Sequence, residues 1–177
     1  MNLMLLASLF AAMNLVYDPA RPEICNGEVI TPSGNGSGCL GQTALPVALL
    51  IHGGGWTAMD KKDVVGIAEF LANDLGYAVY NINYRLAGKE NPWPACGEDC
   101  LKAGEFVFSD EFAAKTGLKP KSILVIGGSA GGHLALWTVS NSARSATASF
   151  PSQASPIRKW TIRRIRECIA DFSERIR

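Results

Sequence analysis

The sequence predicts an α/β fold with a mainly parallel sheet flanked by helices. Three observations lead there. Between residues 47 and 139, short apolar runs alternate with helix-length amphipathic stretches, the order expected when parallel strands are joined by crossover helices. Val47-Ala-Leu-Leu-Ile51 and Ile123-Leu-Val-Ile126 are apolar without alternation, as strands covered on both faces are. Each of these runs leads straight into a glycine-rich turn, His52-Gly-Gly-Gly-Trp56 and Gly127-Gly-Ser-Ala-Gly-Gly132. Ligand sites in such sheets lie outside the carboxyl ends of the strands.

In chain order, Met1 to Met13 is apolar but too short for a membrane span. Two readings stay open for it: the apolar part of a secretory signal, or a buried first strand or helix. No Lys or Arg precedes it, and Leu9 and Phe10 stand where a cleavage site favours small residues. Asn14 to Tyr17 is a short strand candidate ended by Asp18-Pro19, and residues 21–44 read as a long loop with a short strand at Glu28 to Thr31. Val47 to Ile51 is a strand. Residues 62–75 form a helix, with Val64, Val65, Ile67, Ala68, Phe70, Leu71 and Leu75 at helical spacing and Gly76 as its stop. Tyr77 to Asn83 is the next strand. One helix is expected over about Asp99 to Lys115, with Leu101, Phe106, Phe108 and Phe112 in the core and Gly117 closing it. The strand at Ile123 and a helix carrying Leu134-Ala-Leu-Trp-Thr-Val139 complete the series.

The chain has 177 residues, enough for one domain with a real core. Hydrophobic residues make up 47% and charged residues 19%, a globular balance, and the net charge of +1 gives no overall pull toward nucleic acid or membrane. Five cysteines leave two options open. Local disulfides, Cys25 with Cys39 and Cys96 with Cys100, would suit an exported protein, and free thiols would suit a cytosolic one. Their spacings fit no common zinc pattern, and His52 and His133 are the sole histidines. No metal or organic cofactor is implied, and the compartment stays undecided.

The two turns carry chemistry. Gly127-x-Ser129-x-Gly131 has the spacing of a nucleophile elbow, in which a strained strand-to-helix turn lifts a serine hydroxyl above the sheet. Side chains two residues either side of such a serine would collide with the turn, hence the glycines. The helix that follows points its N-terminus, with free N–H groups, at the hydroxyl. His52-Gly-Gly-Gly-Trp56 brings backbone N–H groups within unobstructed reach of a substrate. Donors of this kind stabilise a developing oxyanion, each worth on the order of 3 kcal/mol.

Together, about 75 residues apart, the two motifs resemble the α/β-hydrolase superfamily. The chain is most similar to the HGGG-type esterases: the hormone-sensitive-lipase-like group and the acetyl, xylan and feruloyl esterase type. Asn83-Tyr84-Arg85-Leu86, Pro92-Trp93-Pro94-Ala95 with Asp99, and Asn14 to Pro19 resemble segments of that group, so the likeness covers roughly residues 14–139. The resemblance implies Ser129 as nucleophile and the N–H groups of Gly54, Gly55 and Ala130 as oxyanion hole. It implies that His52 braces the loop and that His133, one helical turn past the serine, points along its helix. The implied substrate is a small carboxylic ester with a small acyl group, a carbohydrate ester being one option.

The family pattern then places an acid and a histidine after the serine. Only 48 residues follow Ser129 here, and His133 is their one histidine. Glu167, Asp171 and Glu174 lie in a segment of different character. Residues 141–177 hold eight basic and three acidic residues, whereas residues 1–140 hold nine and thirteen. The expected organisation is therefore residues 1–140 as the N-terminal part of a hydrolase domain and 141–177 as an atypical basic tail. That tail reads as a Ser/Ala-rich linker, then an amphipathic helix with Ile162, Ile165, Ile169, Phe172 and Ile176 on one face. A truncated or frame-shifted gene would produce such a shift, and little or no turnover is expected of this chain. The rival expectation is a non-catalytic fragment whose basic helix binds a partner or an anionic surface.

Overall fold

The computed structural model describes residues 13–32 and 45–145. Five strands form one sheet: β1 (Met13–Val16), β2 (Asn26–Ile30), β3 (Val47–Ile51), β4 (Ala78–Ile82) and β5 (Ile123–Gly127), in spatial order β1-β2-β4-β3-β5. The central strand β3 pairs parallel with β4 on one side and with β5 on the other. The two N-terminal strands add an antiparallel extension, β1 to β2 and β2 to β4. The short strand foreseen at Glu28 to Thr31 is thus β2, which starts two residues earlier and ends one residue earlier. The sheet is mixed, because the turn at Asp18 to Cys25 is short enough for a hairpin.

Strand β3 explains why its sequence carries no alternation. Val47, Leu49 and Ile51 enter one apolar cluster with Tyr80, Phe106, Phe112 and Leu134, while Ala48 and Leu50 enter a second with Val64, Ala68 and Leu71. Side chains alternate between faces along a strand, and both faces here are roofed by helices. One face is covered by α1 (Val65–Asn73), the other by α2 (Ala95–Phe106), α3 (Asp110–Thr116) and α4 (Ala130–Ser145).

Helix boundaries differ from the sequence expectation at three places. The stretch 62–75 begins as a 3-10 turn, Lys61–Val64, capped by Asp60, before α1 proper. Gly76 then stops α1 with φ of 71° and its N–H on the Ala72 carbonyl. The single helix expected over Asp99 to Lys115 is two helices. α2 starts four residues earlier, at Ala95, and ends at Phe106; α3 is opened by Ser109, whose hydroxyl accepts from the Phe112 N–H. The break turns Phe108 out of the core, 48% exposed, whereas Phe106 and Phe112 are buried as expected and Leu101 is half-buried.

Cys25, Cys96 and Cys100 are buried free thiols, so the Cys96–Cys100 disulfide option is corrected. The Cys25–Cys39 option falls on a residue outside the described ones. Cys39 and Cys168 themselves, the Met1 to Ala12 segment and the basic tail lie outside the described residues. No helix among the described residues is long and apolar enough to cross a membrane.

Candidate active site

The two glycine-rich turns meet at one end of the sheet. They follow β3 and β5, neighbours with Ile51 opposite Gly127, so parallel pairing delivers both turns to the same edge. The contact between them is close. A Cβ placed on Gly53 would stand 3.6 Å from the Ser129 Cβ and 3.0 Å from the Gly128 carbonyl oxygen. A Cβ on Gly131 would strike the carbonyl oxygens of Ile51 and His52 at 2.3 and 2.5 Å. A Cβ on Gly127 would strike the Gly131 oxygen at 2.3 Å. Glycine is required at Gly127 and Gly131 because backbone packs directly on backbone there, and Gly53 is closely approached.

Ser129 is exposed and has φ of 54°, the left-handed region that non-glycine residues seldom occupy. The first turn of α4 holds it there: Gly131 N–H donates to the Gly128 carbonyl, and the N–H groups of Gly132 and His133 donate to the Ser129 carbonyl. Strained serine backbone at a strand-to-helix corner is the geometry of a presented hydroxyl.

The loop 52–60 is equally constrained. Gly54, Gly55, Trp56 and Met59 all have positive φ, between 60° and 91°. The Gly54 carbonyl accepts from Thr57 and Ala58, and the Trp56 carbonyl accepts from the Ala87 N–H at 2.7 Å. The far end is locked by polar bonds. Asp60 takes the N–H of Lys62 and the Asn83 amide, and Asn83 in turn accepts the Lys61 N–H. Lys61, 6% exposed, extends its ammonium to Asn14 and Asn26 on the β1–β2 hairpin. Among the described residues, no protein acceptor takes the N–H groups of Gly54, Gly55 or Ala130.

The two histidines part company. His52 is 1% exposed, stacks on Tyr84 with ring centroids 4.2 Å apart, and bonds through Nδ1 to the Gly53 carbonyl at 3.1 Å. A carbonyl only accepts, so Nδ1 carries the proton. Burial holds its pKa below the ordinary 6.5, which keeps the ring neutral. His133 is exposed and sits between two indoles, edge-on to Trp56 at 5.6 Å and tilted against Trp93 at 5.4 Å. No carboxylate pairs with either ring among the described residues.

Asp18, Cys25 and Asp99 are the one group of possible metal ligands found among the described residues. Their charge is already answered. Asp99 is gripped by the Arg85 guanidinium and Asp18 by Arg21 and Lys102. Burial raises the Cys25 thiol to about 11, so it stays protonated and donates to Asp99. This donor set does not fit a cation.

Sequence reasoning singled out Ser129 and the loop but gave no role to Tyr84, whose hydroxyl reaches the His52 and Gly53 carbonyls at 3.0 Å each. It also missed the flanking of His133 by Trp56 and Trp93. The Asn83-Tyr84-Arg85 segment was visible as a motif, but nothing in its spacing tells which loop the tyrosine serves.

The sequence and fold are similar to those of known proteins. The carboxylic ester hydrolase LipN of Mycobacterium tuberculosis is 35% identical over 132 residues, 74% of this chain and 32% of that protein. An AB hydrolase superfamily protein of Schizosaccharomyces pombe is 35% identical over 106 residues, 60% of this chain and 30% of its own length. Among solved structures, a bacterial heroin esterase superposes with a TM-score of 0.59 at 32% identity, over 68% of this chain and 35% of that one. An esterase from Pyrobaculum calidifontis gives 0.58 at 31% identity, over 70% and 37%. The chain spans about a third of the length of these relatives. The BD-FAE family profile matches residues 40–163, running past residue 140, where the charge balance changes. The chain belongs to the BD-FAE family, and its fold is the N-terminal part of the α/β-hydrolase fold of esterases.

Proposed function

We propose that the chain carries the nucleophile and the oxyanion hole of a serine hydrolase acting on carboxylic esters with small acyl groups. The observation that supports this most is the contact of the two turns, with Gly53 against Ser129, and no protein acceptor among the described residues taking the N–H groups of Gly54, Gly55 or Ala130. An ester carbonyl carbon set over the Ser129 Oγ would direct its oxygen to those three donors. Oγ adds to the carbon, and the negative charge gathers on an oxygen already faced by N–H dipoles. Collapse expels the alcohol and leaves an acyl-serine, which water then cleaves.

The proton of Oγ needs an acceptor, and here the described residues fall short. His52 is buried and its Nδ1 is committed to the Gly53 carbonyl. His133 has no acid behind it among the described residues. A serine hydroxyl without a base is a weak nucleophile, and an oxyanion hole alone leaves roughly 10³–10⁴-fold of acceleration over water. Little or no turnover is therefore expected. The test is hydrolysis of nitrophenyl acetate by the chain and by Ser129→Ala. A slow rate, or slow single acylation of Ser129, that disappears in the variant supports the reading. Robust turnover lost in Ser129→Ala would overturn the inactivity while keeping the nucleophile. A rate unchanged by the substitution would remove Ser129 from the chemistry.

A further inference from the structure

The oxyanion loop has a weakness that its glycines create. The Gly53–Gly54 peptide is flanked by two residues without side chains, and Gly54 has φ of 91°. Such a peptide plane turns easily. A donor that must face a reacting oxygen cannot be left free to turn, because preorganisation is what gives it value.

We infer that Tyr84 is a positioning residue for the oxyanion hole, its hydroxyl setting the direction of the Gly54 N–H by holding the Gly53 carbonyl. This rests on the reading of Gly54 as an oxyanion donor. The link is covalent geometry. The C=O of residue 53 and the N–H of residue 54 belong to one planar trans peptide and point in opposite directions. Fixing the oxygen fixes the hydrogen. Two groups fix that oxygen from the buried side: the Tyr84 hydroxyl at 3.0 Å and His52 Nδ1–H at 3.1 Å. The same hydroxyl proton is shared with the His52 carbonyl, also at 3.0 Å, so one phenol orients two successive peptides.

Tyr84 is itself immobilised. It is 2% exposed and its ring lies nearly parallel to the His52 imidazole, 13° between planes. The next residue, Arg85, is tied by its backbone N–H and its guanidinium to Asp99 on α2. Burial pushes the phenol's ionisation up, so the group remains a donor at any pH the fold meets. The His52 carbonyl also lies under the first turn of α4, where Gly131 leaves room for it. Tyr84 thus holds the loop against the helix that carries Ser129.

The experiment uses the whole 177-residue chain and Tyr84→Phe, which removes one oxygen and keeps the ring. Two measurements are made. The first is acylation of Ser129 by nitrophenyl acetate and by its thiono analogue, whose sulfur is a poor hydrogen-bond acceptor. The second is the amide resonance and solvent exchange of Gly54, followed by NMR. The expected result is a roughly 10- to 100-fold loss of acylation by the oxygen ester with a smaller loss for the thiono ester. The Gly54 amide shifts and exchanges faster, while amides of β3 and β4 hold. Equal losses for both esters, or no loss, with Gly54 unmoved, would overturn the inference and leave Ser129 as nucleophile untouched. Absence of acylation even in the unaltered chain would overturn the acyl-transfer reading; Gly54 would still decide whether Tyr84 orients the peptide. Should Tyr84→Phe fail to fold, a tyrosine fluorinated beside the hydroxyl at position 84 preserves packing and strengthens the donor. It moves the Gly54 resonance if the inference holds and leaves it in place if not.

Discussion

Replacing Asp99 by alanine tests how the site is anchored. Asp99 is fully buried, and its carboxylate accepts four donors: the Arg85 Nε at 2.8 Å, the Arg85 terminal nitrogen at 2.6 Å, the Arg85 backbone N–H at 2.9 Å and the Cys25 thiol at 3.6 Å. The guanidinium is itself only 13% exposed, and its other acid, Glu98, is 3.9 Å away and more than half exposed. Glu98 therefore adds little. Removing the carboxylate strands a desolvated cation and an unpaired N–H, and breaking such a buried pair costs about 3–5 kcal/mol. For a chain of this size that corresponds to a fall in Tm of roughly 10 °C. Urea unfolding followed by circular dichroism gives the number directly. Arg85→Met alone should cost a comparable amount, and Arg85→Met with Asp99→Leu together should cost much less than the two added. A loss below about 1 kcal/mol for Asp99→Ala, or strict additivity in the double variant, would refute the picture of a dehydrated pair holding the β4–α2 connection.

Two further predictions separate the causes at work. Gly131→Ala should abolish the native fold or displace the elbow, since its Cβ meets two backbone oxygens inside 2.6 Å. Gly66→Ala on exposed α1, where nothing lies within 4 Å, should stabilise by about 0.5–1 kcal/mol in the same urea assay. The pH prediction concerns His52. Its folded pKa is depressed from 6.5 by burial, so below that value the unfolded chain takes up a proton the folded chain refuses, and stability falls as pH falls. Between pH 6.5 and 5 the loss approaches about 1.4 kcal/mol per unit at most. His52→Asn should flatten that part of the profile; an unchanged slope would place the titration elsewhere.

How much of this was legible beforehand follows from which signals are local. Ser129 and Gly54 announced themselves because backbone packed on backbone admits only glycine, and glycine spacing survives in the sequence. The strand β3 was readable as an apolar run because both its faces are covered, whereas β5, equally apolar, stands at the sheet edge and is only half-buried. The split at Phe108 was not, since Val107-Phe108-Ser109 continues a plausible helical stripe and only the Ser109 cap interrupts it. The antiparallel extension by β1 and β2 was hidden for another reason. Its partner choice is decided by hydrogen bonds across the sheet and by Lys61 reaching Asn14 and Asn26, which are far apart in sequence. Tyr84 is the clearest case. A buried tyrosine at a strand end looks like core, and its task is set by two carbonyls more than thirty residues away.

The parts of the site differ in what they depend on. The bonds nearest the loop N–H groups and the Ser129 backbone arise within residues 51–133, Tyr84 and His52 on the loop and Gly127 to Gly132 at the elbow, while the loop's far end is also tied through Lys61 to Asn14 and Asn26. These bonds belong to the same core that folds the sheet, so the proposed oxyanion donors would be held by the fold itself. Proton transfer is different. It requires a base whose ring is free on the reacting side, and the one exposed imidazole here contacts two indoles and pairs with no carboxylate among the described residues. On the proposed reading, electrostatic stabilisation and proton transfer are separable steps. A base supplied in solution gives the decisive contrast. Imidazole added at increasing concentration should raise Ser129 acylation in the unaltered chain and leave Ser129→Ala unaffected. A flat response would mean that the hydroxyl, and not the missing base, limits the reaction.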